Sequence, residues 1–190
     1  MTEAYKPAHG HRGEQSGHLR ISLRNVRQLF NSMDPSPFYE RDLDDNAERY
    51  LVSWVQETHR DEPLKLTLHL DEIPPEGMDL ALKSITESIH HYFAERERLT
   101  HLEFRRLLRQ GRTSLAIGVT FLVACLGAAE ILATTTQGVF PGLLRESLTI
   151  AGWVAMWRPL EIYLYEWWPV RRQAQMFHRM SLMPVELQAA

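Results

Sequence analysis

The sequence predicts an α+β protein of the membrane, a small β-α-β-α domain whose long last helix leads into a two-helix transmembrane hairpin. Three observations carry that prediction. Residues 113–133 and 143–165 form two apolar stretches, each near the 20 or so residues a helix needs to cross roughly 30 Å of hydrocarbon. The first has no charge until Glu130, and the loop at residues 134–142 has none at all. Arg105, Arg106, Arg109 and Arg112 precede the first stretch, and Arg171, Arg172 and Arg179 follow the second. Ahead of them, two runs with an apolar period of two each give way to helical periodicity, which sets the order strand, helix, strand, helix.

Taken in order, residues 1–18 read as a disordered tail with Pro7, Gly10, Gly13 and Gly17 and without the apolar core of a signal peptide. His9 and His11 are spaced as a loose metal clip would be, but a solvated tail is the plainer reading. The domain is expected over residues 19–94. Leu19, Ile21 and Leu23 alternate with Arg20, Ser22 and Arg24 as in a strand with one buried face. Phe30 to Phe38 holds Pro35 and Pro37 and reads as an ordered turn, with Phe30 and Phe38 in the core. Asp42 is placed to cap a helix whose apolar face is Leu43, Ala47, Tyr50, Leu51 and Trp54.

Leu64, Leu66, Leu68 and Leu70 alternate with Lys65, Thr67 and His69 in a second strand, closed off by Pro74, Pro75 and Gly77. A helix follows with Leu82, Ile85, Ile89, Tyr92 and Phe93 as its packing stripe, continuing as a basic juxtamembrane segment over residues 95–112. Gly111 decides whether it runs unbroken into the hairpin at residues 113–168, since one glycine costs about 1 kcal/mol in a helix. A crossover helix makes the two strands parallel neighbours. Two strands are too little sheet for independent stability, so self-association through an open edge is expected. Residues 169–190 read as a cytoplasmic tail.

Charge sets the orientation. Residues 34–79 carry thirteen acidic against four basic residues, whereas residues 95–112 carry six arginines against three glutamates. Basic residues beside a span are retained on the cytoplasmic face. Both termini are therefore expected in the cytoplasm. The one cysteine, Cys125, lies inside the first stretch, which excludes an intramolecular disulfide and suits a packing role.

Candidate chemistry is sparse. Asp42, Asp44 and Asn46 match the first positions of a calcium loop, but Ala47 stands where glycine is needed and Ser53 where a bidentate glutamate is needed, so capping is preferred. His90 and His91, with Glu87 and Glu95 a turn away on either side, offer two metal ligands where three or four are required, and surface ion pairs account for the same spacing. No phosphate loop, nucleophile elbow or paired-cysteine motif occurs. No cofactor, metal or nucleic acid is expected, and an enzyme is the minority reading.

The most informative side chains are the polar ones within the hairpin, because charge at membrane depth is costly unless paired or solvated. Glu130 and Arg145, with Glu146, lie about a turn from the loop and would meet in an antiparallel pair. Arg158 and Glu161 lie a turn apart beside Pro159. Trp167, Trp168, Arg171 and Arg172, with Arg109 and Arg112 on the other stretch, form an aromatic and basic interface anchor.

The run Trp157-Arg158-Pro159-Leu160-Glu161-Ile162-Tyr163-Leu164-Tyr165-Glu166-Trp167-Trp168-Pro169 resembles the C-terminal span of uncharacterised bacterial two-span inner-membrane proteins. Residues Arg24 to Phe38, which include Asn31-Ser32-Met33-Asp34-Pro35, look like their N-terminal signature. The resemblance covers nearly the whole chain and implies a bacterial inner membrane, but no activity. Two functions follow as expectations. One is a membrane-anchored, self-associating protein whose acidic cytoplasmic domain recruits or regulates a partner. The other is an oligomeric channel or carrier with a polar path through Glu130, Arg158 and Glu161. A metal-dependent enzyme built on His90 and His91 is weaker than either.

Overall fold

The structure is a computed structural model that describes residues 17–31, 42–72, 77–135 and 138–189. The expected tail up to residue 16, Phe38, Pro74 and Pro75 lie outside these residues. The chain is mostly helical with a small three-stranded sheet, and it divides into two compact units, Met1–Glu97 with Gln175–Ala190, and Arg98–Ala174.

In the first unit, strand β1 (His18–Leu23) starts beside Gly17, where a Cβ would run into the Pro63 carbonyl. A short 3-10 turn, Val26–Leu29, is capped by Asn25, whose side chain accepts from the Arg27 amide at 3.0 Å. Phe30 then bridges antiparallel to Leu43, and both are buried. That bridge shifts the helix cap. It draws residues 42 and 43 into extended backbone, so Asp44 rather than Asp42 caps helix α1 (Asp45–Glu57), accepting from the Asn46 amide at 2.9 Å. Leu51 and Val55 form the buried stripe of α1, and Tyr50 is left exposed.

Strand β2 (Lys65–Leu70) pairs parallel with β1, Ile21 opposite Leu68. Helix α2 (Met78–Thr135) runs unbroken through Gly111, so residues 95–112 are its middle and not a separate element. It buries Ala81, Ile85, Ile89 and Phe93 in the same core. The expected C-terminal tail is instead structured. Residues from 167 form helix α5 (Trp167–Ser181) and strand β3 (Val185–Ala189), which pairs parallel with β2, Leu68 opposite Leu187.

The sheet order is β1-β2-β3, so β2 is central. The physical reason is burial: Phe177, Met180, Met183 and Val185 join the core cluster, and the chain's own end thus supplies an edge that was expected to seek a second copy. Because side chains alternate along a strand, Leu19, Ile21, Leu23, Leu66, Leu68, Leu70, Val185 and Leu187 share one face. The other face carries His18, Arg20, Lys65, Thr67, His69 and Glu186.

In the second unit, α2 is long and apolar enough to cross a bilayer, and among the described residues no other helix is. It is followed by α3 (Val139–Ala155), the short α4 (Trp157–Glu161) and a π turn, Ile162–Glu166, that leads into α5. Pro159 has no N–H to close on the Ala155 carbonyl, and the helix is interrupted at Met156. Small residues let the two helical runs approach. A Cβ on Gly111 would stand 2.9 Å from Ile162 Cγ2, one on Gly118 3.0 Å from the Ala155 carbonyl oxygen, and one on Gly152 2.9 Å from Leu122 Cδ1. Those partners run in opposite directions along the two runs, which makes the packing antiparallel. The bare Gly118 backbone therefore sits against the carbonyl that Pro159 leaves open, a small-residue contact typical of helices in lipid.

Candidate functional site

The sharpest polar cluster centres on Arg158. Its Nη1 donates to Glu161 Oε2 at 2.9 Å and also to Glu166 Oε1, and its Nη2 donates to Glu166 Oε2 at 3.3 Å. The Glu161 partner was legible from its spacing. Glu166 was not, because in an α-helix a residue eight positions on lies about 80° round from the starting face. The wider π turn takes up that excess and returns Glu166 to the Arg158 side. Pro169 was the available signal, since it has no N–H for the Tyr165 carbonyl and so disfavours a regular helix through this stretch. One arginine is thus held by two carboxylates of its own helical run.

The outer pair does not form. Glu130 and Arg145 are both exposed, and among the described residues no ion pair joins them. The antiparallel contact apposes Gly118 to Ala155 and Leu122 to Gly152, a register that sets Glu130 and Arg145 at nearly the same level, yet both side chains are exposed rather than paired. At the other end of the unit, the Trp167 indole donates to the Tyr163 carbonyl at 2.8 Å. Arg171 lies over the Trp167 ring at 5.9 Å and Arg172 over the Trp168 ring at 4.7 Å. Arg109 and Arg112 are exposed on α2.

In the first unit, the residues weighed as metal ligands have other positions. His90 Nε2 donates to the Met183 carbonyl at 2.8 Å, which ties α2 to the turn before β3, while Glu87 and His91 are exposed. Among the described residues no group of three or more His, Cys, Asp and Glu side chains comes together as a metal site. Arg179 secures the loop after α1 by donating to the Glu62 carbonyl at 2.7 Å.

A half-buried triad joins α1 to α2, and no local pattern announced it. The Tyr92 hydroxyl donates to Glu48 Oε2 at 2.7 Å, and Arg96 Nε donates to Glu48 Oε1 at 2.9 Å. Arg96 also lies 5.7 Å from the Tyr92 ring centroid. Burial first, then the bond to Glu48, hold the Tyr92 phenol well above its ordinary pKa of 10.0. The group's contribution is therefore intact below about pH 10 and is lost as pH rises through the folded value.

Replacing Glu48 with Ala leaves the half-buried Tyr92 hydroxyl without its acceptor and is expected to cost about 1 kcal/mol. The half-exposed Arg96 adds less because solvent screens it. Urea unfolding of the full chain measures this. Tyr92→Phe should flatten the alkaline fall in stability above pH 10, and an unchanged fall would remove Tyr92 as its cause.

No family model, no curated protein and no solved structure matches this chain.

Proposed function

We propose that this is a bacterial inner-membrane protein of two spans, with both termini in the cytoplasm. Its acidic α/β domain self-associates and recruits or regulates a protein partner, acting by binding and not by catalysis. One observation carries the reading: the sheet-bearing unit is built from residues on both sides of the apolar helices, with β3 paired to β2. A chain that leaves this unit after Glu97 and rejoins it at Gln175 must cross a bilayer an even number of times. The flanking arginines assign that common side to the cytoplasm.

Arg158 supports anchoring over conduction. With Glu161 and Glu166 on its own helical run it is already satisfied, whereas a conducting path needs charge turned towards an aqueous axis. The edge strands β1 and β3 remain the surfaces for self-association.

The test is accessibility. With Cys125 replaced by Ser, Val139→Cys should react with an impermeant thiol reagent in cells whose outer membrane is permeabilised. Ser53→Cys and Gln188→Cys should react only once the inner membrane is opened. Labelling that separates Ser53 from Gln188 would overturn the two-span topology. Light scattering of the full chain in detergent should give more than one chain per particle, and a stable monomer would remove self-association.

A further inference from the structure

We propose that the groove lined by Leu164, Tyr165, Trp168, Pro169 and Arg172 seats one anionic phospholipid, with its phosphate on Arg172 and its acyl chains along Tyr165 and Leu164. The groove has a volume of about 420 Å³ and lies wholly within the helical unit. It rests on the membrane reading above and extends it to a particular ligand.

Helical spacing creates the groove. Leu164, Trp168 and Arg172 recur every four residues, and Tyr165 lies three before Trp168, so all four share one side of the run. The π turn ends at Glu166 and Pro169 follows, which leaves this stretch wider than a regular helix at the point where three large side chains stand out. Leu164 is 58% exposed, Tyr165 71% and Trp168 47%. These residues also lie on the cytoplasmic shoulder of the second stretch, where lipid headgroups begin.

Charge selects the occupant. Arg172 lies over the Trp168 ring, an arrangement that uses the guanidinium face and leaves its N–H edge for a phosphate oxygen. Among the described residues neither Arg171 nor Arg172 forms an ion pair with a carboxylate. The antiparallel register sets Gly111 beside Ile162 and Tyr163, so the arginines that flank it on α2, Arg109 and Arg112, add positive charge near the same depth.

The residues are ordered as a lipid is. Leu164 and Arg172 are eight residues apart, about 12 Å along a helix, with the apolar end towards the hydrocarbon and the arginine towards the cytoplasm. A free phosphate would use only the arginine end.

The full chain, stripped of lipid in a mild detergent, should be titrated with phosphatidylglycerol, phosphatidylcholine and inorganic phosphate and read by native mass spectrometry. One phosphatidylglycerol per chain is expected, preferred over phosphatidylcholine by about fivefold for each arginine engaged. Arg172→Gln should abolish most of that preference and Arg172→Glu should reverse it, while Arg60→Gln, in the sheet-bearing unit, should leave it unchanged. These are exposed positions, and the Val139→Cys labelling pattern should be the same in every variant.

Equal binding of the two lipids, or a preference that survives Arg172→Glu, would overturn the site. Competition by millimolar inorganic phosphate would convert it to a simple anion site and also overturn the proposal. A chain that labels at Val139→Cys yet shows no preference fails this inference alone. One that does not label there fails the membrane reading itself.

Discussion

Deleting residues 182–190 is expected to abolish cooperative folding of the sheet-bearing unit. The deletion removes β3 and, with it, Met183 and Val185, which are buried, and the partly buried Leu187. Loss of a large core side chain costs about 2–5 kcal/mol each, against a total stability of about 5–15 kcal/mol for a domain. The deletion also strips β2 of its pairing on one side, exposing a central strand as a new edge. It removes the Met183 carbonyl on which His90 is held as well. Limited proteolysis of the full chain in detergent measures this: sites in α1 and β2, protected in the intact chain, should open in the deletion. Met183→Asp should do the same with no change in length, and unchanged protection in both would mean that β3 contributes nothing to the unit.

Gly118→Val should disrupt the helical unit, whereas Gly127→Val should be nearly silent. A Cβ at Gly118 stands 3.0 Å from a backbone oxygen, that of Ala155, which cannot swing aside as a side-chain tip can. Overpacking of this kind costs about 1–3 kcal/mol even where some repacking is possible. At Gly127 the same Cβ meets nothing within 4 Å, so only helix propensity is at stake there. Resistance to unfolding in mixed detergent separates the two, with Gly152→Val grouped with Gly118 because Leu122 and Cys125 stand at 2.9 and 3.2 Å. Equal behaviour of Gly118 and Gly127 variants would dissolve the proposed contact.

The first two strands were visible because each side chain's face is set by its own neighbours, Leu19-Arg20-Ile21 and Leu66-Thr67-Leu68 alternating with period two. Val185-Glu186-Leu187 alternates just as plainly. Five residues carry little weight without a partner, however, and the partner of this strand, β2, lies far back along the chain beyond the whole helical unit. The cap moved from Asp42 to Asp44 for a similar reason, a bridge between Phe30 and Leu43 that local spacing does not encode.

The sequence by itself determined the elements whose causes are local: one apolar helix long enough for a bilayer, the arginine flanks, the alternating strands, and the Arg158–Glu161 pair one turn apart. Tertiary structure alone decided which strand ends the sheet, that Glu48 meets Tyr92 and Arg96, and that Glu166 turns back to Arg158. Helix and strand periods are fixed by backbone geometry within a few residues, whereas these contacts depend on which distant surfaces bury each other, and on a π turn that alters the helical phase between two residues of one run.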